Sequence, residues 1–351
     1  MAVKSLAVKY RPDNWGDVAE QDAVKIILKQ QLATESFQHA YLFAGGAGTG
    51  KTTCARIFAN EINKGKGSPI EMDAASQNGV DDVREIIQQA KLKSIDSEYK
   101  VFILDEVHSF SNNAWQAMLK LIEEPPAKSI FIFATTNPEK IPKTILSRVQ
   151  RYDFRRISQK GIVDRLVAIL AKENTDYDAG VIMEDRAVEY IANIADGHMR
   201  DAISLLDKCL SYSTDLTMEN AVKALGTIDY STMLLLSNYM WDREPRKVME
   251  TIDDIYSAGK DLKQFLRDYI YFLLDVQKYA CGCDFNLLQI PKVADTENWM
   301  NDMSEEETDY YLFMLKELIK LNADIKYSQY PKADIEAALL VLCIGDDGGA
   351  E

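Results

Sequence analysis

Gly45-Gly46-Ala47-Gly48-Thr49-Gly50-Lys51-Thr52 stands between two contrasting flanks. Before it runs Ala40-Tyr41-Leu42-Phe43-Ala44, a short apolar stretch that reads as a buried strand. After it comes Thr53-Cys54-Ala55-Arg56-Ile57-Phe58-Ala59, where Cys54, Ala55, Phe58 and Ile62 recur at helical spacing. The glycines therefore join a strand to a helix, the context a phosphate-binding loop requires. Glycine lets the backbone curl so that several N–H groups point at one anion. The helix N-terminus adds the positive end of its dipole. Lys51 is spaced to reach β- and γ-phosphates, and the Thr52 hydroxyl to ligate Mg²⁺. A glycine-rich turn that binds nothing is the bland alternative, and the flanking strand and helix argue against it.

The 351 residues allow two or three domains and a substantial core. The longest apolar run, near Ala337 to Ile344, is too short to span a membrane. Met1 to Lys9 shows no apolar signal core, so a cytoplasmic location is expected. Five scattered cysteines (Cys54, Cys209, Cys281, Cys283, Cys343) fit a reducing compartment. Cys281-Gly282-Cys283 has neither a second pair nor a nearby histidine, so unliganded thiols are expected. A net charge of −15 excludes a surface that is basic throughout. Any DNA contact has to come from a local patch.

Residues 1 to about 156 read as alternating strands and helices. Strands are expected at Tyr41–Ala44, Ile70–Asp73, Val101–Asp105, Ile130–Thr135 and Arg151–Phe154, with helices such as Asp81–Leu92 and Asn113–Glu123 between them. Near-continuous apolar strands such as Val101-Phe102-Ile103-Leu104 suggest a parallel sheet covered on both faces. From about 157 the strands are expected to stop. Gly161–Ala171, Arg186–Ile194 and Arg200–Leu210 read as a small helical bundle, and Gly226-Thr227-Ile228-Asp229 as a linker. Beyond it, Thr232–Met240, Lys247–Ser257, Leu262–Tyr279, Glu305–Leu321 and Asp334–Cys343 carry helical periodicity. Gly345 to Glu351 reads as a disordered polar tail.

Leu104-Asp105-Glu106 ends the strand that starts at Val101. An apolar strand ending in two acids suits the second half of an ATPase site. Asp105 can hold Mg²⁺, and Glu106 can orient the attacking water. Standing alone, the pair could equally be a solvated strand end. Phe133-Ala134-Thr135-Thr136-Asn137-Pro138 closes the next strand, either as a turn or as a place where a polar residue senses the γ-phosphate. Arg148 in Leu146-Ser147-Arg148 is open between a phosphate-directed guanidinium and a surface ion pair. Gly197-His198-Met199-Arg200-Asp201 opens a helix. There Asp201 suits the dipole, and Arg200 is a surface charge or a phosphate ligand. His39, His108 and His198 are isolated from one another in sequence, and structural roles are expected for them.

Taken in order, these stretches resemble the gamma/tau clamp-loader subunits of bacterial DNA polymerase III, a family of AAA+ ATPases. The resemblance is carried by Lys9-Tyr10-Arg11-Pro12, His39-Ala40-Tyr41-Leu42-Phe43 and the phosphate loop, then by the segment from Asp73 to Asp82. It continues through Leu104-Asp105-Glu106-Val107-His108, Leu119 to Pro126, Ala134 to Pro138, Ile145 to Arg148 and Arg200 to Ser204. It implies a five-stranded parallel AAA+ P-loop domain over residues 1–156, a helical lid over 157–226 and a helical, oligomerising collar over 227–345, before the tail 346–351. Residue by residue, it implies that Lys51 and Glu106 are catalytic, that Thr136 is a first sensor and Arg200 a second sensor. Arg148 becomes an arginine finger acting in a neighbouring subunit. Tyr10, Arg11 and Pro12 line the adenine pocket, and Gly45, Gly46, Ala47, Gly48, Thr49, Gly50, Lys51, Thr52, Thr53 and Arg200 hold the nucleotide. Thr52 and Asp105 are the expected Mg²⁺ ligands. DNA would meet the inner face of a spiral, for which Arg84, Lys91 and Lys93 are only basic candidates.

Some positions depart from the family pattern. The usual four-cysteine zinc insertion is replaced by Asn63-Lys64-Gly65-Lys66-Gly67-Ser68, so no zinc is expected. Val149 follows Ser147-Arg148 where cysteine is usual, Ala47 replaces an arginine and Glu20 replaces a glycine. The long tau-type tail for helicase and polymerase contact is expected to be absent. These departures suggest a divergent member and leave a bacterial or a phage source open. The expected function is ATP-driven opening of a sliding clamp and its loading on primer-template DNA, with the clamp, other loader subunits or copies of the chain as partners. Another AAA+ remodeller, such as a helicase loader or branch-migration motor, or an ATPase-dead arm of a clamp loader, are the alternatives.

Overall fold

The computed structural model describes residues 5–177, 179–226, 230–284, 288 and 294–345. Thr227 to Asp229 of the expected linker, and the expected tail beyond Gly345, lie outside these residues. Contacts divide the chain into two compact units, Met1–Val181 with Ile191–Ser211, and Ile182–Tyr190 with Tyr212–Glu351.

The first unit opens with helices α1 (Leu6–Lys9) and α2 (Asp22–Thr34). It continues as β1 (Ala40–Gly45), α3 (Lys51–Ile62), β2 (Ile70–Asp73), α4 (Val80–Lys91), β3 (Lys100–Asp105), α5 (Asn112–Glu123), β4 (Ser129–Thr135), α6 (Lys143–Leu146) and β5 (Gln150–Phe154). All five strands are parallel in the order β2-β3-β4-β1-β5, so their carboxyl ends share one edge. Each expected strand is present, within a residue or two at its ends.

Alternation explains why the sheet is covered twice. Leu42, Phe102, Leu104, Phe131 and Phe133 point to the face packed by Val83 and Ile86 of α4 and Trp115 and Met118 of α5. Tyr41, Phe43, Ile103 and Ile132 point to the other face, against Leu28 of α2 and Cys54 and Phe58 of α3. With helices on both sides, apolar side chains dominate both faces. Phe131 is 0% exposed, and truncating such a side chain to alanine costs about 3–5 kcal/mol.

Two further helices, α7 (Gln159–Tyr177) and α9 (Met199–Tyr212), belong to this unit, and α8 (Asp185–Ile194) is divided between the two. The N-terminal segment is tied to α7 and α9. Lys9 Nζ meets Glu173 at 2.6 Å, Arg165 donates to Asp17 at 2.7 Å, and the Leu6 N–H donates to Asp207 at 3.0 Å.

The second unit corrects the expectation that strands stop. Strand β6 (Ile182–Met183) pairs in parallel with β7 (Asp215–Leu216). Two residues are too short for a periodic signal, and their partner lies more than thirty positions away. Helices α10 (Met218–Leu225), α11 (Tyr230–Trp241), α12 (Pro245–Ser257), α13 (Leu262–Ala280), α14 (Ala294–Asp302), α15 (Glu305–Asp324) and α16 (Pro331–Ile344) complete the unit. Phe265, Tyr269, Phe272, Tyr311, Met314 and Leu339 are among its core residues. Ser304 starts α15 with a capping box, its hydroxyl accepting from the Glu307 N–H while Glu307 accepts from the Ser304 N–H.

Candidate nucleotide site

The glycine loop leaves β1 where only glycine fits. A Cβ on Gly45 would lie 2.3 Å from the Phe154 carbonyl oxygen. Gly48 has φ +66°, and a Cβ there would lie 3.1 Å from His198 Cβ. The Gly48 carbonyl also accepts from the Met199 N–H at 3.2 Å, which sets the loop against the start of α9. From Ala47 to Thr52 the backbone N–H groups have no acceptor among the described residues. Such a row of unpaired donors at a helix start is a cradle for an anion.

Lys51 is 5% exposed, and its Nζ donates to the carbonyls of Gly45 (2.8 Å) and Gly46 (2.6 Å). Burial lowers its pKa, while the charges of Glu106 and Asp105 act in the opposite sense. The Thr52 hydroxyl donates to Asp105 Oδ2 at 2.5 Å. The first turn of α3 and the end of β3 are thus joined at the expected metal position. Asp105 Oδ1 accepts from the Glu106 N–H at 2.9 Å. Glu106 has φ +49°, which turns the chain sharply off the strand. Its Oε2 accepts from the Thr136 hydroxyl at 2.9 Å.

Around these groups lies a cavity of about 320 Å³ lined by Lys51, Thr52, Thr53, Asp105, Glu106 and Arg200, together with Ala47 to Gly50. Tyr10, Arg11 and Pro12 line it as well, and the Tyr10 carbonyl accepts from Arg165 at 3.0 Å. Burial, followed by the charges of Arg56 and Arg200, lowers the pKa of Arg11. The charges of Glu71 and Asp105 act on it in the opposite sense. The volume suits a small ligand. The unpaired donor row, the buried lysine and the Thr52–Asp105 pair fit a nucleoside triphosphate with Mg²⁺.

The remaining candidates sit elsewhere. Thr136 touches Glu106 without lining the cavity. Gly45 and Gly46 shape the loop through their carbonyls. Arg148 is not among the lining residues. At 40% side-chain exposure, it pairs through Nε with Glu123 at 2.8 Å and donates to the Thr144 carbonyl at 2.8 Å. Arg84 is exposed on α4 and paired with Asp81 at 2.7 Å, and Lys91 and Lys93 are exposed at and beyond the end of that helix.

Sequence reasoning missed several neighbours. Val18, Ile157 and Ile203 supply apolar lining, and nothing in their local pattern separates them from ordinary core residues. His198 lies against the glycine loop. His108, expected to be structural, has Nδ1 3.1 Å from Glu106 Oε2 and 3.2 Å from Thr135 Oγ1.

The chain is similar to known proteins over most of its length. Residues 62–158 match the family described as DNA polymerase III, delta subunit, and residues 161–215 the family described as DNA polymerase III clamp loader subunit, ATPase lid domain. Over 98% of its length the chain is 37% identical to DNA polymerase III subunit tau of Bacillus subtilis (strain 168), of which it spans 64%. It is 30% identical over 95% of its length to subunit gamma/tau of Mycoplasma genitalium, of which it spans 58%. Against subunit gamma of Buchnera aphidicola subsp. Schizaphis graminum it is 28% identical, covering 97% of this chain and 98% of that protein. The chain spans between 41% and 64% of the length of the tau and gamma/tau relatives it matches. Among solved structures, the RuvB Holliday junction branch migration motor of Thermotoga maritima aligns with a TM-score of 0.51 at 20% identity, covering 66% of this chain and 79% of that one. That likeness shows the fold alone, an α/β AAA+ domain followed by helices. No described helix is long and apolar enough to cross a membrane.

Proposed function

We propose, from its likeness to the tau and gamma/tau subunits and to the clamp-loader lid family, that the chain is a DNA polymerase III clamp-loader subunit of the gamma/tau type that binds and hydrolyses ATP to open a sliding clamp and load it on primer-template DNA. The observation that carries this reading is the convergence of Lys51, Thr52, Asp105, Glu106 and Arg200 on one cavity. Lys51 and the loop N–H groups hold the β- and γ-phosphates, and Arg200 closes on them from α9. Tyr10, Arg11 and Pro12 receive the adenine. Thr52 and Asp105 would hold Mg²⁺, which would supply neutralisation of charge on the phosphate oxygens. Glu106 orients the attacking water, and Thr136 ties that carboxylate to the end of β4 as a first sensor. Arg148 acts in the site of a neighbouring subunit.

The proposed division is an ATPase core over 1–156, a lid over 157–226, a collar over 227–345 that assembles the subunits head to tail, and a tail beyond 345. The partners are the clamp, other loader subunits or further copies of the chain, and DNA met by a local patch for which Arg84, Lys91 and Lys93 are candidates. The place of work is the cytoplasm, of a bacterium or of a phage's host. Zinc is not needed. The cysteine-free turn at Asn63–Ser68 is closed by Asn63, which donates to the Tyr99 carbonyl and accepts from its N–H, both at 2.9 Å. Melting unchanged by chelator, with no bound zinc, is the expected result, and a drop would overturn it.

Intact Lys51, Glu106 and Arg148 weigh against an ATPase-dead arm. ATP-dependent retention of a ring clamp on primed circular DNA tests the reading. Retention should vanish with Lys51→Ala, and loading that proceeds without ATP would contradict it.

A further inference from the structure

We infer that His108 is a positioning residue for Glu106: backed by Thr135, it fixes one carboxylate oxygen and leaves the other for the attacking water. The inference rests on the reading of Glu106 as the residue that orients that water. Beyond β3, Glu106 takes a left-handed backbone conformation, and residues Val107–Ser109 form a single 3₁₀ turn. Val107, 0% exposed, anchors the turn in the core. The turn brings the imidazole back over the strand ends, with the His108 side chain 17% exposed and that of Glu106 34%.

Both contacts fall on the same oxygen. Glu106 Oε2 accepts from the Thr136 hydroxyl at 2.9 Å and has His108 Nδ1 3.1 Å away. No described residue hydrogen-bonds Oε1. His108 Nδ1 is also hydrogen-bonded with Thr135 Oγ1 at 3.2 Å. Thr135 is itself fixed, being 0% exposed and accepting from the Asn137 N–H at 3.1 Å. We place the hydrogen on Nδ1, where it faces Glu106 Oε2 as well as Thr135 Oγ1. Two adjacent hydroxyls at the end of β4 therefore hold Glu106, Thr136 directly and Thr135 through the imidazole. A glutamate side chain has three rotatable bonds. Fixing one oxygen from two sides selects the orientation in which the other can meet water, and angular misplacement of such a group is expensive in rate.

Single-turnover ATP hydrolysis and equilibrium ATP binding by the full chain test this, with wild type and Glu106→Gln as references. His108→Ala should slow hydrolysis ~10–100-fold while changing ATP affinity less than about twofold. His108→Asn, which places an N–H near the position of Nδ1, should recover most of the rate, and it keeps the test open if the alanine variant does not fold. Adding His108→Ala to Glu106→Gln should slow it no further, because the histidine acts only through that carboxylate. Nitrogen NMR of the nucleotide-free chain gives an independent readout, since only three histidines are present. The His108 Nδ1 should be protonated, and its resonance should move in Glu106→Gln. Full-rate hydrolysis by His108→Ala, or an unprotonated Nδ1, would overturn the inference. Wild-type hydrolysis by Glu106→Gln would instead overturn the reading of the site on which it rests.

Discussion

The Thr52 hydroxyl donates to Asp105 Oδ2 at 2.5 Å, joining the first turn of α3 to the end of β3 across 53 residues of sequence. Strand β1, which leads through the glycine loop into α3, and strand β3, which ends at Asp105, are not neighbours in the sheet, because β4 lies between them. Two oxygens meet at one point beside the phosphate cradle, and a hydroxyl with a carboxylate is a Mg²⁺ ligand pair. We expect Thr52→Val to retain ATP binding in chelator and to lose the gain that Mg²⁺ provides. Turnover should fall at least ~100-fold, as the loss of several kcal/mol of charge stabilisation implies. Calorimetric titration with and without Mg²⁺ measures it. An undiminished Mg²⁺ effect would place the metal elsewhere.

Arg148 lies outside the cavity lining of its own chain and is held by Glu123 at the end of α5, with Nε 2.8 Å from Oε1. A finger acting in trans needs a head-to-tail contact, which generates an open or closed ring rather than an isologous pair. Arg148→Ala should leave ATP affinity unchanged and lower hydrolysis by the assembled complex, an effect worth ~10³–10⁵ in related enzymes. Mixing it with Lys51→Ala subunits should restore activity at mixed interfaces. A mixture no more active than the sum of its parts would rule out action in trans.

In the second unit, burial raises the Asp268 carboxyl to about 6, against the opposing hydrogen bond from Gln264 at 2.6 Å. The sign follows from linkage. A carboxyl with a raised folded pKa favours the folded state most when protonated, so this contribution is present below about pH 4 and is lost as pH rises through about 6. A shift of this size corresponds to at most about 3 kcal/mol, and less here because the side chain keeps some solvent contact. We expect Asp268→Asn to stabilise the chain by ~1–2 kcal/mol at pH 8 and to leave it unchanged at pH 4. Urea melts at the two pH values decide, and equal effects at both would remove the titration from the explanation.

Much of the first unit was legible because its strands are short, apolar and bounded by polar turns, as at Val101 to Asp105. The loop, the paired acids and the strand-end threonines were legible for the same reason: each lies where a strong local pattern stops. Other elements left no such trace. Helix α2 was not marked because Ile26 and Ile27 are 63% and 45% exposed, which blurs its apolar stripe. Helix α14 buries Met300 and packs Trp299 in a mostly polar stretch. The contact of His108 with Glu106 and Thr135 depends on β3 lying beside β4, with Leu104 opposite Phe133. No spacing along the chain encodes that adjacency, so the contact of an isolated histidine with Glu106 could not be read from the sequence.

The most direct test of the proposed ATPase is a paired measurement on Lys51→Ala and Glu106→Gln, with ATP binding and single-turnover hydrolysis recorded on the same preparations. In the proposed site Lys51 would bridge the loop carbonyls and the phosphates, and a charge-assisted contact of that kind is worth roughly 1.5–3 kcal/mol. Lys51→Ala should therefore bind ATP at least ~10-fold more weakly. Glu106→Gln should bind ATP as tightly as wild type and hydrolyse it only at a small residual rate. Hydrolysis by Glu106→Gln at the wild-type rate, or unweakened ATP binding by Lys51→Ala, would contradict the assignment of this cavity as the ATPase site.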